Sequence, residues 1–203
     1  PQRTPGAVRA GLRYAWASTE LRIALILTGV VATFGFNHQV LIPLLAAKTF
    51  GGDAVTYTLL YTALSVGSVL GALAVAKRRE ITLPVLIWAV FAFAAANALL
   101  AVSPTLLFAV GASFAAGATA LLFITASVTL LQQRCDPAMR GRVMALFAMV
   151  LLGGVPVGAP IVGLIAEIAG PRGAVATGSA AALIAATCVV RHIKPRNHIG
   201  ANR

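Results

Sequence analysis

Six long apolar segments dominate this chain and constrain its fold more strongly than any other feature. They cover residues 22–47, 54–76, 81–102, 105–131, 143–169 and 173–190. About 20 apolar residues in a helix cross a hydrocarbon core of roughly 30 Å, so each segment is long enough to span a membrane. Only 10% of the residues are charged, whereas soluble domains carry about 25%. The chain is therefore predicted to be an integral membrane protein surrounded by a lipid bilayer.

The residue pattern within these segments favours helices over barrel strands. None of them shows the sustained alternation of apolar and polar residues that marks a membrane β-strand. A helix also satisfies its own backbone hydrogen bonds, which lipid cannot do. We therefore expect an all-α integral membrane fold, in which residues 22–190 form a bundle of six transmembrane helices.

The basic residues alternate from joint to joint along the chain. Fourteen of the 16 Lys and Arg residues lie at the two ends, between the second and third segments, or between the fourth and fifth, whereas Lys48 and Arg172 lie elsewhere. The positive-inside rule predicts this distribution for a six-helix protein with both termini in the cytoplasm. It also explains the net charge of +11 without a nucleic-acid partner.

The ionisable residues show no pattern typical of a catalytic or metal site. Three His, two Cys and five acidic residues form no metal-ligand spacing, phosphate-binding loop or nucleophile elbow. All five acids lie at segment ends or in joints, so no carboxylate is expected inside the membrane. We therefore predict that the protein is not an enzyme and needs no metal or cofactor. Any proton coupling would use His38 or a region outside these segments.

The two ends of the chain differ from the apolar segments. Residues 1–21 are expected to form a cytoplasmic linker with a short basic amphipathic helix from Val8 to Leu21, and residues 191–203 a basic cytoplasmic tail. An amphipathic helix of this kind lies in the membrane interface. Its lipid-facing side chains would be Leu12, Tyr14, Trp16 and Leu21. The sequence looks like a piece of a longer protein.

Three adjacent polar residues, Asn37, His38 and Gln39, interrupt the first apolar segment. Counting about 1.5 Å per residue places them near the middle of the membrane, and their 100° spacing means that they cannot all face one cavity. They are a candidate substrate or proton cavity, and the competing interpretation is hydrogen bonding between helices, which is the role expected of Asn97. Because Pro43 cannot donate to the carbonyl of Gln39, we expect the helix to be distorted here.

Glycine patterns in two segments predict close helix contacts. Gly67 and Gly71 in the second segment, and Gly154 and Gly158 in the fifth, are spaced as small residues are at membrane helix interfaces. The fifth segment also contains Pro156 and Pro160, each of which removes a backbone hydrogen bond. The helix is expected to kink or open locally at these prolines.

This proline-containing stretch, GVPVGAPIVG, resembles the antiporter motif GxxxGPxxGG of major facilitator superfamily exporters. Gly154, Gly158 and Gly163 match the motif, and the proline is displaced by one place to Pro160. The preceding stretch, DPAMRGRVMAL, is similar to a P-x-x-R-G-R-V loop in the exporter group that includes enterobactin and macrolide efflux proteins. The matching residues of this loop are Arg140, Gly141 and Arg142.

A third stretch, GALAVAKRRE, resembles the second-half copy of the superfamily loop GxLaDrxGRR. Gly71, Leu73, Ala74 and Arg79 fit this loop, whereas Val75 stands where the family has an acid. The order of the three stretches matches spans seven to twelve of a twelve-helix carrier. The chain is thus identified as a member of this superfamily, with the departure at Val75 arguing against a charge relay in the loop.

The resemblance implies the C-terminal bundle of a bacterial inner-membrane exporter that works with an N-terminal six-helix bundle by alternating access. Its substrate would be a small amphiphilic molecule such as a drug, a macrolide or a siderophore-like compound. Arg140 and Arg142 are interpreted either as a cytoplasmic latch or as ordinary topology charges. The alternative function is a self-contained six-helix scaffold, sensor or pore that dimerises through the glycine patterns. An upstream half with six further spans would decide for the carrier.

Overall fold

The computed structural model describes residues 7–76 and 80–193. A short helix, α1 (Ala7–Ala17), precedes a first spanning segment, Thr19–Thr49, which consists of α2 (Thr19–Val30), a π-helical turn (Val31–Gly35), α3 (His38–Leu44) and a second π-helical turn (Leu45–Thr49). The other five spans are α4 (Ala54–Ala76), α5 (Leu83–Ala101), α6 (Leu106–Arg134), α7 (Pro137–Ile168) and α8 (Gly170–Ile193). The described part is all-helical with six helices long and apolar enough to cross a membrane, which confirms the predicted fold class.

The six spans pack as two similar halves. α4 lies against α6, just as α7 lies against the first span, and α5 contacts α6 as α8 contacts the first span. α5 and α8 also pack on each other. If the first span is matched with α6, α4 with α7 and α5 with α8, each of these contacts between two spans corresponds to a contact between their two counterparts. This is the pattern of an inverted repeat, which is common in transporter bundles.

The glycine patterns provide the closest contacts of both halves. A Cβ atom at Gly71 would overlap the carbonyl oxygen of Ala118 in α6, and one at Gly158 would overlap the carbonyl oxygen of Thr33 in the first span. Gly67 and Gly154 pack against the same two partner helices, where an added Cβ would meet the carbonyl oxygen of Phe114 and the Cβ of Ala32, respectively. This confirms the prediction that the patterns are helix contacts, and both are used inside the bundle.

Two apolar clusters form the core, one on the side of the chain termini and one on the opposite side. The first is centred on the fully buried Phe93 and Phe123 and includes residues of α2, α5, α6, α7 and α8. The second includes Leu41, Leu60 and Leu100, which lie further along their spans. The buried polar side chains of the bundle's middle lie between these two clusters.

The amphipathic N-terminal helix is shorter than predicted, because it ends at Ala17 and the first span begins at Thr19. Leu21 therefore belongs to α2, where it is fully buried rather than facing lipid. The hydroxyl of Tyr14 accepts a hydrogen bond of 3.1 Å from the backbone N–H of Asp136. Leu12 and Trp16 remain about half exposed, as an interfacial helix requires. Thus α1 packs against the start of α7 through one face and leaves the other free.

The start of α7 also differs from the expectation. Residues 140–142, predicted as part of a loop, lie in the first turns of α7, because Pro137 occupies the first helical position after Asp136. Proline suits this position since it lacks the N–H that would otherwise be unsatisfied there. Helix α7 then continues through Pro156 and Pro160 without interruption, so the local opening predicted at the prolines does not occur.

The remaining bounds shift by a few residues. α8 begins at Gly170 and continues to Ile193, so it takes up three residues of the expected basic tail. Gly71, the first residue of the stretch that resembles the superfamily loop, lies inside α4, within the bounds predicted for the second segment. Arg79, the linker residues 1–6 and the tail residues 194–203 lie outside the described residues.

Candidate transport site at the break in the first span

The first span is broken near its middle, where the polar residues begin. Val31–Gly35 form a π-helical turn, in which the N–H of Phe36 bonds the carbonyl of Val31 at 3.0 Å. Phe36 and Asn37 leave the helical conformation, and α3 then restarts at His38. The distortion expected at the polar residues is therefore present, and the break at Phe36 and Asn37 lies before the turn that contains Pro43. Turns of this type occur frequently at functional sites.

His38 connects the break to the third span. Its Nε2 lies 3.0 Å from Oδ1 of Asn97 in α5, and Asn97 Nδ2 donates to the carbonyl of Phe93 at 2.9 Å. With its amide nitrogen already donating to Phe93, Asn97 offers the oxygen as an acceptor, so Nε2 of His38 carries the donated proton. The rings of His38 and Phe93 also pack edge to face, with their centroids 6.3 Å apart. His38 therefore makes an interhelical hydrogen bond, and Asn97 is its partner.

Asn37 lies at the contact between the first span and α7. Its side chain is 1% exposed, and its Nδ2 donates to the carbonyl of Thr33 at 2.7 Å. Gly158 of α7 packs beside both groups, since a Cβ there would lie 3.0 Å from Asn37 Nδ2. Asn37 Oδ1 has no hydrogen-bond partner among the described residues. A buried oxygen of this kind is a vacant acceptor in the middle of the bundle.

Gln39 differs from its two neighbours because its side chain is exposed at the bundle surface. Pro43 and Ala47, four and eight residues further along, are exposed as well. This spacing puts the three residues on one helix face. Of the three polar residues in the predicted cavity, the structure thus buries two within the six-helix bundle and leaves Gln39 facing outward.

Two further buried polar groups lie at the same level between the two apolar clusters. The hydroxyl of Ser179 in α8 donates to the carbonyl of Ala94 in α5 at 2.7 Å. Ser113 in α6 is fully buried, and its hydroxyl has no partner among the described residues. Together with Asn37, His38 and Asn97, they form a mid-bundle polar layer, defined here as these five residues.

Helix α7 presents two contrasting faces. Gly154, Gly158, Val162 and Ala166 follow one another at four-residue steps and turn toward the first span, with all but Gly154 fully buried. The opposite face is exposed and carries Leu152, Pro156, Pro160, Leu164 and Ile168 at the same steps. The two prolines therefore lie on the uncovered face. Gly163, the last glycine of the antiporter-like stretch, has no neighbouring atom within 4 Å of its Cβ position.

The basic residues at the start of α7 are exposed and have no ion-pair partner within the described part of the chain. Arg140 and Arg142 flank Gly141. Among the residues that the structure describes, the one ion pair joins Glu20 and Arg134 at 3.1 Å. Nor do the described residues contain a group of three or more side chains that could hold a metal ion. The described bundle offers hydrogen-bonding groups and apolar surface, which suit binding and movement of a molecule.

Comparison with known protein families gives a match over nearly the whole chain. The profile of a protein family described as transmembrane secretion effector matches residues 1–200. The chain is a member of the transmembrane secretion effector family. This family belongs to the major facilitator superfamily, so the chain is a multi-pass membrane protein of a transporter family. A search of curated proteins and a search of solved structures gave no match.

Several parts of this candidate site could not be predicted from the sequence. Asn97 was expected to pack between helices, but nothing in the pattern pairs it with His38, 59 positions away. The π-helical turn carries no distinctive residue, since Val31–Gly35 reads VATFG. One signal was usable, namely the four-residue spacing of Gly154 and Gly158. It predicted a close helix contact, and Gly158 packs beside Asn37 in that contact.

Proposed function

We propose that this member of the transmembrane secretion effector family is the C-terminal bundle of an exporter of small amphiphilic molecules, working by alternating access with an N-terminal six-helix bundle. The observation that carries the proposal is the break in the first span, which puts the polar residues Asn37, His38 and Gln39 at the level of the mid-bundle polar layer. Interrupted helices near mid-membrane form substrate sites in transporters.

The uncovered faces of the bundle support a partner bundle. In the most apolar stretch of α4 and of α7, 22% of the residues are buried within the bundle, against 56% in the first span and in α5. The free face of α7 is apolar and contains both prolines. A second bundle covering α4 and α7 would enclose a cavity of apolar walls with few polar groups. Such a cavity suits an amphiphile, since apolar walls give affinity and a few polar groups fix orientation.

The polar residues take different roles in this proposal. Gln39 faces outward and supplies a hydrogen-bonding amide to the substrate, whereas Asn37 and His38 act at the bundle's interior. His38 is the candidate for proton coupling in this half, because imidazole is the side chain whose ordinary pKa lies nearest neutrality. Arg140 and Arg142 project from the start of α7 and serve as a cytoplasmic latch toward the partner bundle. The alternating basic joints support an orientation with both termini in the cytoplasm. The assignment to a bacterial inner membrane rests on the resemblance to the exporter group.

The alternative, a self-contained scaffold, sensor or pore that dimerises through the glycine patterns, has less support. Gly67 and Gly71 already contact α6, and Gly154 and Gly158 already contact the first span. A dimer would therefore need a surface other than the glycine patterns, which were the reason for expecting one.

Cysteine accessibility in the full-length protein tests alternating access. In a variant with Cys135 and Cys188 replaced by Ala, single cysteines are placed at Gln39 and, as the control, at Ile184, which is 63% exposed on α8. Position 39 should react with a membrane-impermeant maleimide from both sides of the membrane, and substrate should slow that reaction. Position 184, facing lipid, should stay unreactive. Equal, negligible labelling at the two positions would overturn the cavity role of position 39.

A further inference from the structure

A groove of about 840 Å³ runs between the first span and α8 at the end of the bundle that holds the chain termini. Its walls include the apolar side chains of Ile26, Val30 and Ile184. Its mouth is formed by Trp16, Arg22 and His192. The groove is separate from the break in the first span, because none of the five residues of the mid-bundle polar layer lines it.

The groove is apolar along its length and basic at its mouth. Arg22 is half-buried there and donates from a guanidinium nitrogen to the carbonyl of Trp16 at 3.5 Å. Glu20, the acid nearest to Arg22 in sequence, is engaged with Arg134 of α6 at 3.1 Å. No acidic side chain is found among the described residues that line the groove. The positive charge of Arg22 therefore lacks a protein counter-ion at the groove.

The dimensions of the groove match one lipid leaflet. Its α8 wall runs from Ala181 to His192, which corresponds to roughly 17 Å of helix at about 1.5 Å per residue. Half of a hydrocarbon core is about 15 Å thick. A second transmembrane helix would contact a bundle over its whole span, whereas this groove ends near the bundle's middle. Its length therefore fits one acyl chain with the headgroup held at the mouth.

We propose that this groove binds an anionic phospholipid of the leaflet on the side of the termini, with an acyl chain between Ile26 and Ile184 and the phosphate held by Arg22 and His192. Charge complementarity decides for an anionic headgroup over a neutral one, because basic residues at a membrane surface attract anionic lipids. Trp16 belongs at the mouth, since tryptophan places an apolar ring and a polar N–H at the headgroup level. The bound lipid joins the first span to the last and so stabilises the two ends of the bundle against each other.

Tryptophan quenching by brominated lipids tests the proposal, because Trp16 lines the groove and the chain has two tryptophans. In the 203-residue chain with Trp88→Phe, reconstituted in bilayers, Trp16 is the remaining fluorophore. Brominated phosphatidylglycerol should reach half-maximal quenching at a mole fraction about fivefold lower than brominated phosphatidylcholine, the factor expected for one basic residue at an anionic surface. Equal quenching curves for the two lipids would overturn the proposal.

Three variants test whether the groove causes the preference for the anionic lipid. Arg22→Gln should abolish the preference, whereas Arg140→Gln, which removes one exposed charge from the start of α7 at the same end of the bundle, should leave it unchanged. Ala181→Leu fills the groove without changing charge and should reduce quenching by both lipids. A preference that survives Arg22→Gln, or that Arg140→Gln removes equally, would assign it to general surface charge and refute the groove. Far-ultraviolet circular dichroism checks that each variant keeps its helical content.

Discussion

His38 Nε2 and Asn97 Oδ1 lie 3.0 Å apart and join the first span to α5 at the level of the helix break. Removing either side chain breaks this hydrogen bond and leaves the other group buried. Interhelical hydrogen bonds in membranes are worth about 0.6–2 kcal/mol. We therefore expect a coupling of about 1 kcal/mol in a double-mutant cycle of His38→Ala and Asn97→Ala, measured by denaturant unfolding in micelles. Additive losses would show that the bond contributes nothing.

A second substitution separates this structural bond from proton transfer. His38→Gln keeps an N–H donor near the position of Nε2 but removes the titratable ring. In the full-length protein it should keep the stability of the wild type and abolish proton-driven efflux, whereas His38→Ala should lose both. The readouts are unfolding midpoint and substrate efflux under an imposed proton gradient. Wild-type efflux by either variant would exclude His38 from proton coupling.

The contact at Gly158 predicts a pair of opposite effects on stability. Ala at this position would press its Cβ against the carbonyl oxygen of Thr33, so Gly158→Ala should lower the free energy of unfolding by about 1–3 kcal/mol. Gly153 lies in the same helix with nothing within 4 Å of its Cβ position. Gly153→Ala should therefore be neutral or stabilising by up to about 1 kcal/mol, since Ala favours helix. Equal losses at both sites would contradict the packing described.

The thiol of Cys135 gives a prediction about reactivity. It is buried near Tyr14 at the end of α6, and burial raises the pKa of the Cys135 thiol above its usual value. A raised pKa means less thiolate at neutral pH, and the thiolate is the reactive form. In a Cys188→Ala variant, maleimide labelling of Cys135 should be slower than in the unfolded protein, because burial limits access to the sulfur and leaves less thiolate at neutral pH.

The pH dependence of that labelling supplies its control. The rate for Cys135 should continue to rise at pH values where an ordinary thiol has already levelled off. If Cys135 labels as fast in the folded as in the unfolded protein, then α1 does not cover it.

The architecture was predictable because membranes impose simple requirements. Spans must be long and apolar, and basic residues must alternate between the joints, so the six helices could be placed from the sequence. The glycine contacts were also predictable, since close helix packing needs small residues at fixed spacing. Leu21 was misplaced because an apolar residue at the end of an amphipathic helix can face either lipid or protein, and only the turn at Ser18 decides which.

The orientation of the polar residues could not be predicted for a geometric reason. A regular α-helix assigns each residue a face from its position alone, at 100° per residue. The π-helical turn and the two non-helical residues, Phe36 and Asn37, reset that angle before His38. A count from Arg22 therefore cannot show that Gln39 faces outward while His38 and Asn37 face inward.

The π-helical turn at Val31–Gly35 also stores a small excess of chain inside the first span. A π turn holds roughly one residue more than the α turn that could replace it. If that turn tightened to α geometry, the released residue would pass into the break, and α3 would rotate by about 100° relative to α2 and shift by about 1.5 Å. Such a rotation would exchange which of Asn37, His38 and Gln39 points outward. The orientation of the outer half-helix thus depends on the five residues Val31–Gly35, which precede the polar residues in the chain.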